Sequence, residues 1–271
     1  GESAMKQSSG NWNVAVGTAA LENSSGSSNM AMGYGAGSGA SGSRNTFIGE
    51  LSGSGTASDN IHIGYTSGFT NGASSTGAEN VFVGNSIAAN NNTHTAGHNV
   101  VVGHSAANAL RTGSDNVILG HNAGNTLATG GSNILIGSGV ATPATNTSNY
   151  INIGNTIYGN NSTGRIGIGT TNPGSRFVIA DTAASNTMVN MLVLDAANSA
   201  GAGGSNLGAG MIFRGETSTT QSQDMASITS LWTNGVHANR SGSIAFNTVN
   251  QSAALAEKMR ITSEGSVGIS T

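Results

Sequence analysis

The sequence predicts an all-β protein: a parallel β-solenoid, or β-roll, over residues 13–171, followed by a small antiparallel β module over residues 172–271. Three observations carry that expectation. A unit of Asn, three mostly apolar residues and Gly returns every 15 to 20 residues through the first half. The apolar triplets are consecutive, largely β-branched and always followed by glycine, which excludes helix. Beyond Asn172-Pro-Gly174 the repeat gives way to longer alternating segments. Residues 1–12, opening Gly1-Glu-Ser-Ala-Met5, are expected to be a cloning scar and lead-in.

The units run Asn13-Val-Ala-Val-Gly17, Asn29-Met-Ala-Met-Gly33, Asn45-Thr-Phe-Ile-Gly49, Asn60-Ile-His-Ile-Gly64 and Asn80-Val-Phe-Val-Gly84. They continue as Asn99-Val-Val-Val-Gly103, Asn116-Val-Ile-Leu-Gly120 and Asn133-Ile-Leu-Ile-Gly137, with degenerate copies at Tyr150–Gly154 and Arg165–Gly169. Each triplet is expected to be a short strand in one coil. The Gly permits a bend where a Cβ would clash. The Asn suits the corner: its side chain bonds local backbone, it tolerates left-handed conformations, and stacked copies form a ladder.

Alternate residues of a strand face opposite ways. The first and third of each triplet, such as Val81 and Val83, Val117 and Leu119, Ile134 and Ile136, are expected to fill the interior. The middle residues then point outward: Ala15, Ala31, Phe47, His62, Phe82, Val101, Ile118 and Leu135, with Asn152 at the same place in its coil. An apolar outer stripe needs cover. Self-association about a threefold axis supplies it, so Phe47, His62, Phe82, Val101, Ile118, Leu135 and Asn152 are the expected interface of a homotrimer. Three copies of His62 near the axis are the one candidate metal site, weighed against simple packing of neutral rings. Three Asn152 amides there would suit an anion or water.

The second half reads as separated strands at Phe177–Ile179, Met191–Leu194, Met211–Arg214, Ala226–Trp232, Ser243–Thr248, Lys258–Ile261 and Ser266–Ile269. Recognition chemistry belongs in loops. Trp232, Asn234, His237 and Arg240 combine an aromatic face with amide, imidazole and guanidinium groups, a mixture that suits sugar binding; the alternative is Trp232 in a core and a plain hairpin loop after it.

Composition removes several functions. Only 8% of residues are charged, the net charge is −3, and nine Lys and Arg form no basic stripe, so nucleic acid is not an expected partner. No apolar run is long enough to span a bilayer as a helix, no signal peptide is visible, and membrane insertion is not expected. The absence of cysteine excludes disulfides, thiolate ligands and Cys nucleophiles. Acids are few and scattered; Asp59 and Asp115, each just before an Asn, read as turn residues bonding local backbone. The expectation is a non-enzyme without cofactors. His104 and His121 are expected to stack on the outside, and His94 and His98 to share a surface loop without carboxylate support.

The units at 45–53 and 60–68 resemble the head repeats of trimeric autotransporter adhesins, which implies a left-handed parallel β-roll assembled as a tight trimer; similar repeats occur in bacteriophage tail fibres. Several coils here are longer than the compact adhesin repeat, implying bulging loops at 69–79 and 89–98. The segment from Gly164 to Gly174 followed by Phe177-Val-Ile is similar to junctions of phage tail fibres, and 256–271 resembles the segment preceding their self-cleaving intramolecular chaperone. The resemblance implies a trimeric shaft on a virion tail, outside the cell, presenting adhesive surface to a host glycan or protein and joined to other tail proteins. Its alternatives are a bacterial surface adhesin head and a polysaccharide-cleaving tailspike.

Overall fold

The structure is a computed structural model that describes residues 1–69, 75–89, 94–180, 192, 194, 208–216, 222–234, 240–249 and 254–270. Two compact units are present, residues 1–189 and residues 190–271.

The first unit is a parallel β-solenoid. β1 (Val14–Val16), β2 (Met30–Met32), β3 (Thr46–Ile48), β4 (Ile61–Ile63) and β5 (Val81–Val83) begin the stack. β6 (Val100–Val102), β7 (Val117–Leu119), β8 (Ile134–Ile136) and β9 (Tyr150–Ile153) complete it. Each pairs in parallel with the next, with repeat positions aligned: Ala15 beside Ala31, Phe47 beside His62, Phe82 beside Val101. The last degenerate copy is not a coil. β10 (Ile157–Asn160) turns back antiparallel between β9 and β11 (Arg165–Ile168), and β12 (Phe177–Ile179) joins β11 in parallel. The first unit therefore carries β12, a strand beyond the turn at 172–174. Residues 1–12 also take the coil path, since Ala19 N–H donates to Glu2 O and Asn23 N–H to Lys6 O, both at 2.9 Å. The expected scar lies inside the repeat register.

The asparagines do form a ladder, by a different corner. Asn116 N–H and Nδ2 donate to Asn99 Oδ1 at 2.9 and 3.0 Å, and Nδ2 also reaches Gly130 O at 3.1 Å. The same backbone bond recurs from Asn29 to Asn13 and from Tyr150 to Asn133. The left-handed residue is the one before each Asn: φ is 63° at Asp59, 60° at Glu79, 58° at His98 and 61° at Asp115. The ladder asparagines themselves are not left-handed, and their amides bond along the stack. Asp59 bonds across the coils, not locally: its carboxylate accepts from Arg44 Nε at 2.6 Å and Nη2 at 2.7 Å.

The inside–outside parity is the reverse of the one expected. The middle residue of the triplet faces the interior of its own chain: Phe47, His62, Phe82, Val101, Ile118, Leu135 and Asn152 are all buried. The first and third face out, with Val14 at 52% and Val102 at 38% exposure. One coil encloses a core by itself, and its width is set by complementary sizes across it. A Cβ on Gly53 would lie 2.1 Å from the Phe47 ring and one on Gly68 2.3 Å from that of His62. Where the middle residue is Ala15, the facing position holds the buried Leu21. In these coils big is matched with small, as close packing requires. In the coil of Ala31 and Gly37, where both are small, Leu21 and Phe47 of the adjacent coils fill the space.

The second unit is a five-stranded antiparallel meander among the described residues. Its strands are β13 (Gly208–Glu216), β14 (Ser222–Asn234), β15 (Ser241–Thr248), β16 (Ala256–Ile261) and β17 (Val267–Ile269). Five of the expected strands fall on these; the one expected at 191–194 lies largely outside the described residues. Consecutive residues Met211, Ile212 and Phe213 are all exposed, so both faces of β13 show apolar surface.

Candidate recognition surfaces

His62 is no axial ligand. It lies inside the coil, stacked on Phe82 at 4.9 Å and tilted against Phe47 at 5.7 Å, and both ring nitrogens lack a partner. Burial pushes its pKa down to about 3, with the nearby His94 adding to the effect. His94, expected on the surface, is tucked edge-on against Phe82 at 5.7 Å, and its pKa is pushed down to about 4 by burial. Both rings are neutral packing elements at physiological pH. Asn152 is likewise internal, donating to Ala141 O and Asn155 Oδ1 at 3.0 Å. His62 interrupts the apolar core between Phe47 and Phe82, leaving one cluster around Leu21 and Phe47 and another from Phe82 to Tyr150.

Corner and bend positions carry the polar chemistry of the outer surface. His98 does have carboxylate neighbours, because coil stacking places Glu79 Oε2 3.2 Å from Nε2 and Asp115 Oδ1 3.8 Å from Nδ1. Among the described residues no group of three or more His, Asp or Glu is arranged to hold a metal ion. His104 and His121 stack on the outside at 5.4 Å.

In the second unit, Trp232 sits on β14 where the pairing register shifts, between the pairs Trp232–Gly242 and Asn234–Ser241. A Cβ on Gly242 would lie 3.5 Å from the indole, so the ring rests over that glycine and is 38% exposed. It borders a cavity of about 480 Å³ with Leu231, Ile244, Ile261, Ser230 and Thr262. Arg240 is exposed just before β15, Asn234 ends β14, and His237 lies outside the described residues. Trp232 thus lines an amphipathic hollow instead of filling a core.

Stacking also builds a surface that single residues did not announce. The residue after each bend glycine falls in one column: Tyr34, Glu50, Tyr65, Asn85, His104 and His121. The register is read from backbone bonds, Leu51 N–H to Tyr34 O and Ser86 N–H to Tyr65 O at 2.9 Å, Thr66 N–H to Glu50 O at 3.0 Å. Tyr34 and Tyr65 are 57% and 49% exposed. Aligning the repeats on their glycines finds this column; attention to the triplets alone passes over it.

Comparison with protein-family profiles, curated proteins and solved structures finds no match for this chain. No helix among the described residues is long and apolar enough to cross a membrane. The architecture is that of a structural, surface-presenting repeat protein: coils that satisfy their own backbone and display columns of side chains.

Proposed function

We propose that the chain is the shaft and host-recognition segment of a bacteriophage tail fibre, non-enzymatic and working as a homotrimer outside the cell. The observation that carries this is the exposed apolar stripe of first and third triplet positions, from Val14 and Val16 through Met30, Met32 and Ile61 to Val100 and Val102. One chain closes its own coil and still leaves this stripe in water. Three copies turned inward about a common axis cover it, so the trimer seam runs along these residues in place of the middle ones. The bare apolar residues of β13 ask for the same cover in the second unit. In this reading Trp232 and the loop that carries Asn234, His237 and Arg240 meet a host surface group, and three copies act together to raise avidity.

Sedimentation equilibrium tests the assembly: a mass of three chains is expected, and a stable, folded single chain overturns it. Adsorption to bacterial cells tests the use. Replacing Asn234, His237 and Arg240 with Ala is expected to reduce adsorption with trimer melting unchanged; full adsorption removes this loop from the site. The repeat units at 45–53 and 60–68 support a second reading, a bacterial adhesin head. Adhesion to animal cells or matrix in place of bacteria decides for that reading.

A further inference from the structure

A trough runs lengthwise along the flank of the solenoid beside the column of bend-following residues. Three concavities merge to form it. The first and second share Tyr34, Leu51 and Phe69, and the second and third share Asn108. It begins in the coil of Ala19 and ends in that of Asn122, six coil steps later, on the order of 30 Å at sheet spacing. Tyr34, Leu51, Tyr65 and Phe69 make one half aromatic and apolar; Ser86, Ser105, Asn108 and Asn122 make the other half hydroxyl and amide.

We propose that this trough binds an extended, neutral polysaccharide chain lying parallel to the solenoid axis. Its shape asks for a linear ligand, and three chemical observations choose among linear ligands. β2 to β8 are each paired on both sides, so the flank offers no free strand edge, and a peptide cannot add itself by backbone bonding. Among the described residues no Lys or Arg lines the trough; Glu22 is on its wall and Glu50 lies in the adjoining column, which disfavours nucleic acid and acidic glycans. What remains is aromatic faces and neutral hydrogen-bonding groups. Pyranose rings present C–H faces that stack on aromatics and hydroxyls that amides and hydroxyls read. Tyr34 and Tyr65 stand two coils apart, about 9.6 Å, so one coil step is comparable with the length of one sugar residue. The binding claim stands on the trough itself; its use in adhesion rests on the fibre reading.

The test uses the full chain and a panel of linear neutral hexasaccharides of gluco, manno and galacto configuration, with oligosialic acid as the anionic control. At least one neutral oligosaccharide is expected to bind and oligosialic acid is not. Tyr34→Ala and Tyr65→Ala are each expected to weaken binding roughly tenfold, and Tyr65→Phe to preserve it. Circular dichroism and sedimentation mass are expected to stay those of the parent. Binding of no neutral oligosaccharide, or unchanged binding by the double alanine variant, overturns the proposal. So does a double variant that loses assembled mass, because the rings then belong to a seam between copies. A parent chain that binds glycan as a monomer refutes the fibre reading and leaves the trough standing.

Discussion

Asn99 is the residue on which most local bonds converge. Its Oδ1 accepts from Asn116 N–H and Nδ2, and its own Nδ2 donates to Asn80 Oδ1, Gly97 O and Gly113 O, all within a fully buried corner. Asn99→Ala strands several of these groups without water, so a loss of about 2–4 kcal/mol is expected in chemical denaturation. Asn13, in the first coil of the ladder and half-buried, bonds a neighbour on one side, and Asn13→Ala is expected to cost less in the same measurement. His62 gives a pH signature. Its folded pKa lies below the ordinary value, so the unfolded chain binds the proton more readily. The stability this contributes is fully present above about pH 6.5 and is lost progressively as pH falls towards 3. His94 acts in the same direction. Melting temperature against pH in His62→Phe is expected to fall less steeply over that window, since a phenyl ring keeps the stack on Phe82 and has nothing to protonate.

A triplet strand has two faces, and the proposed assembly and the fold depend on different ones. Val100→Asp with Val102→Asp places carboxylates on the exposed face of β6. The coil is expected to keep its circular dichroism, and the trimer to fail, because three charged pairs would be desolvated together at several kcal/mol each. Ile118→Asp puts the same group inside β7 and is expected to yield no folded chain. The period of the coils, the Asn and Gly corners and the later meander were legible because each rests on a local backbone need. The parity was not legible from the triplets: in Val100-Val101-Val102 all three residues are the same, so alternation carries no sign. A subtler signal was present. The middle position varies from Ala31 to Phe82, and the residue six places on is small wherever the middle one is large, Gly53 after Phe47, Gly68 after His62 and Ala88 after Phe82, with Leu21 after Ala15, whereas the flanks stay mostly Val, Ile or Met. Size compensation marks an enclosed space. Side-chain chemistry singled out Trp232 but not the hollow beside it, whose lining comes from other strands, and the trough required knowing which residues from different coils share a column.

At the scale of the whole chain, coils interact chiefly with their immediate neighbours, so stability should scale with their number. Deleting residues 99–115, one full step of 17 residues from Asn99 to Asn116, is expected to leave a cooperative fold with a lower denaturation midpoint. Deleting half that segment brings an Asn corner over a Gly bend and is expected to abolish the transition. The bend glycines add a direction to this nearest-neighbour arrangement. A Cβ on Gly17 would strike Gly33 O at 2.5 Å, one on Gly103 would strike Gly120 O at 2.3 Å, and one on Gly154 would meet nothing within 4 Å. The Asn ladder runs the same way, each Oδ1 waiting for an N–H from the coil that follows. A ribosome delivers the coils in this order. Each nascent strand finds its template already laid down 15 to 20 residues earlier, with an acceptor in place, so the solenoid can be built like brickwork, course upon course, during synthesis.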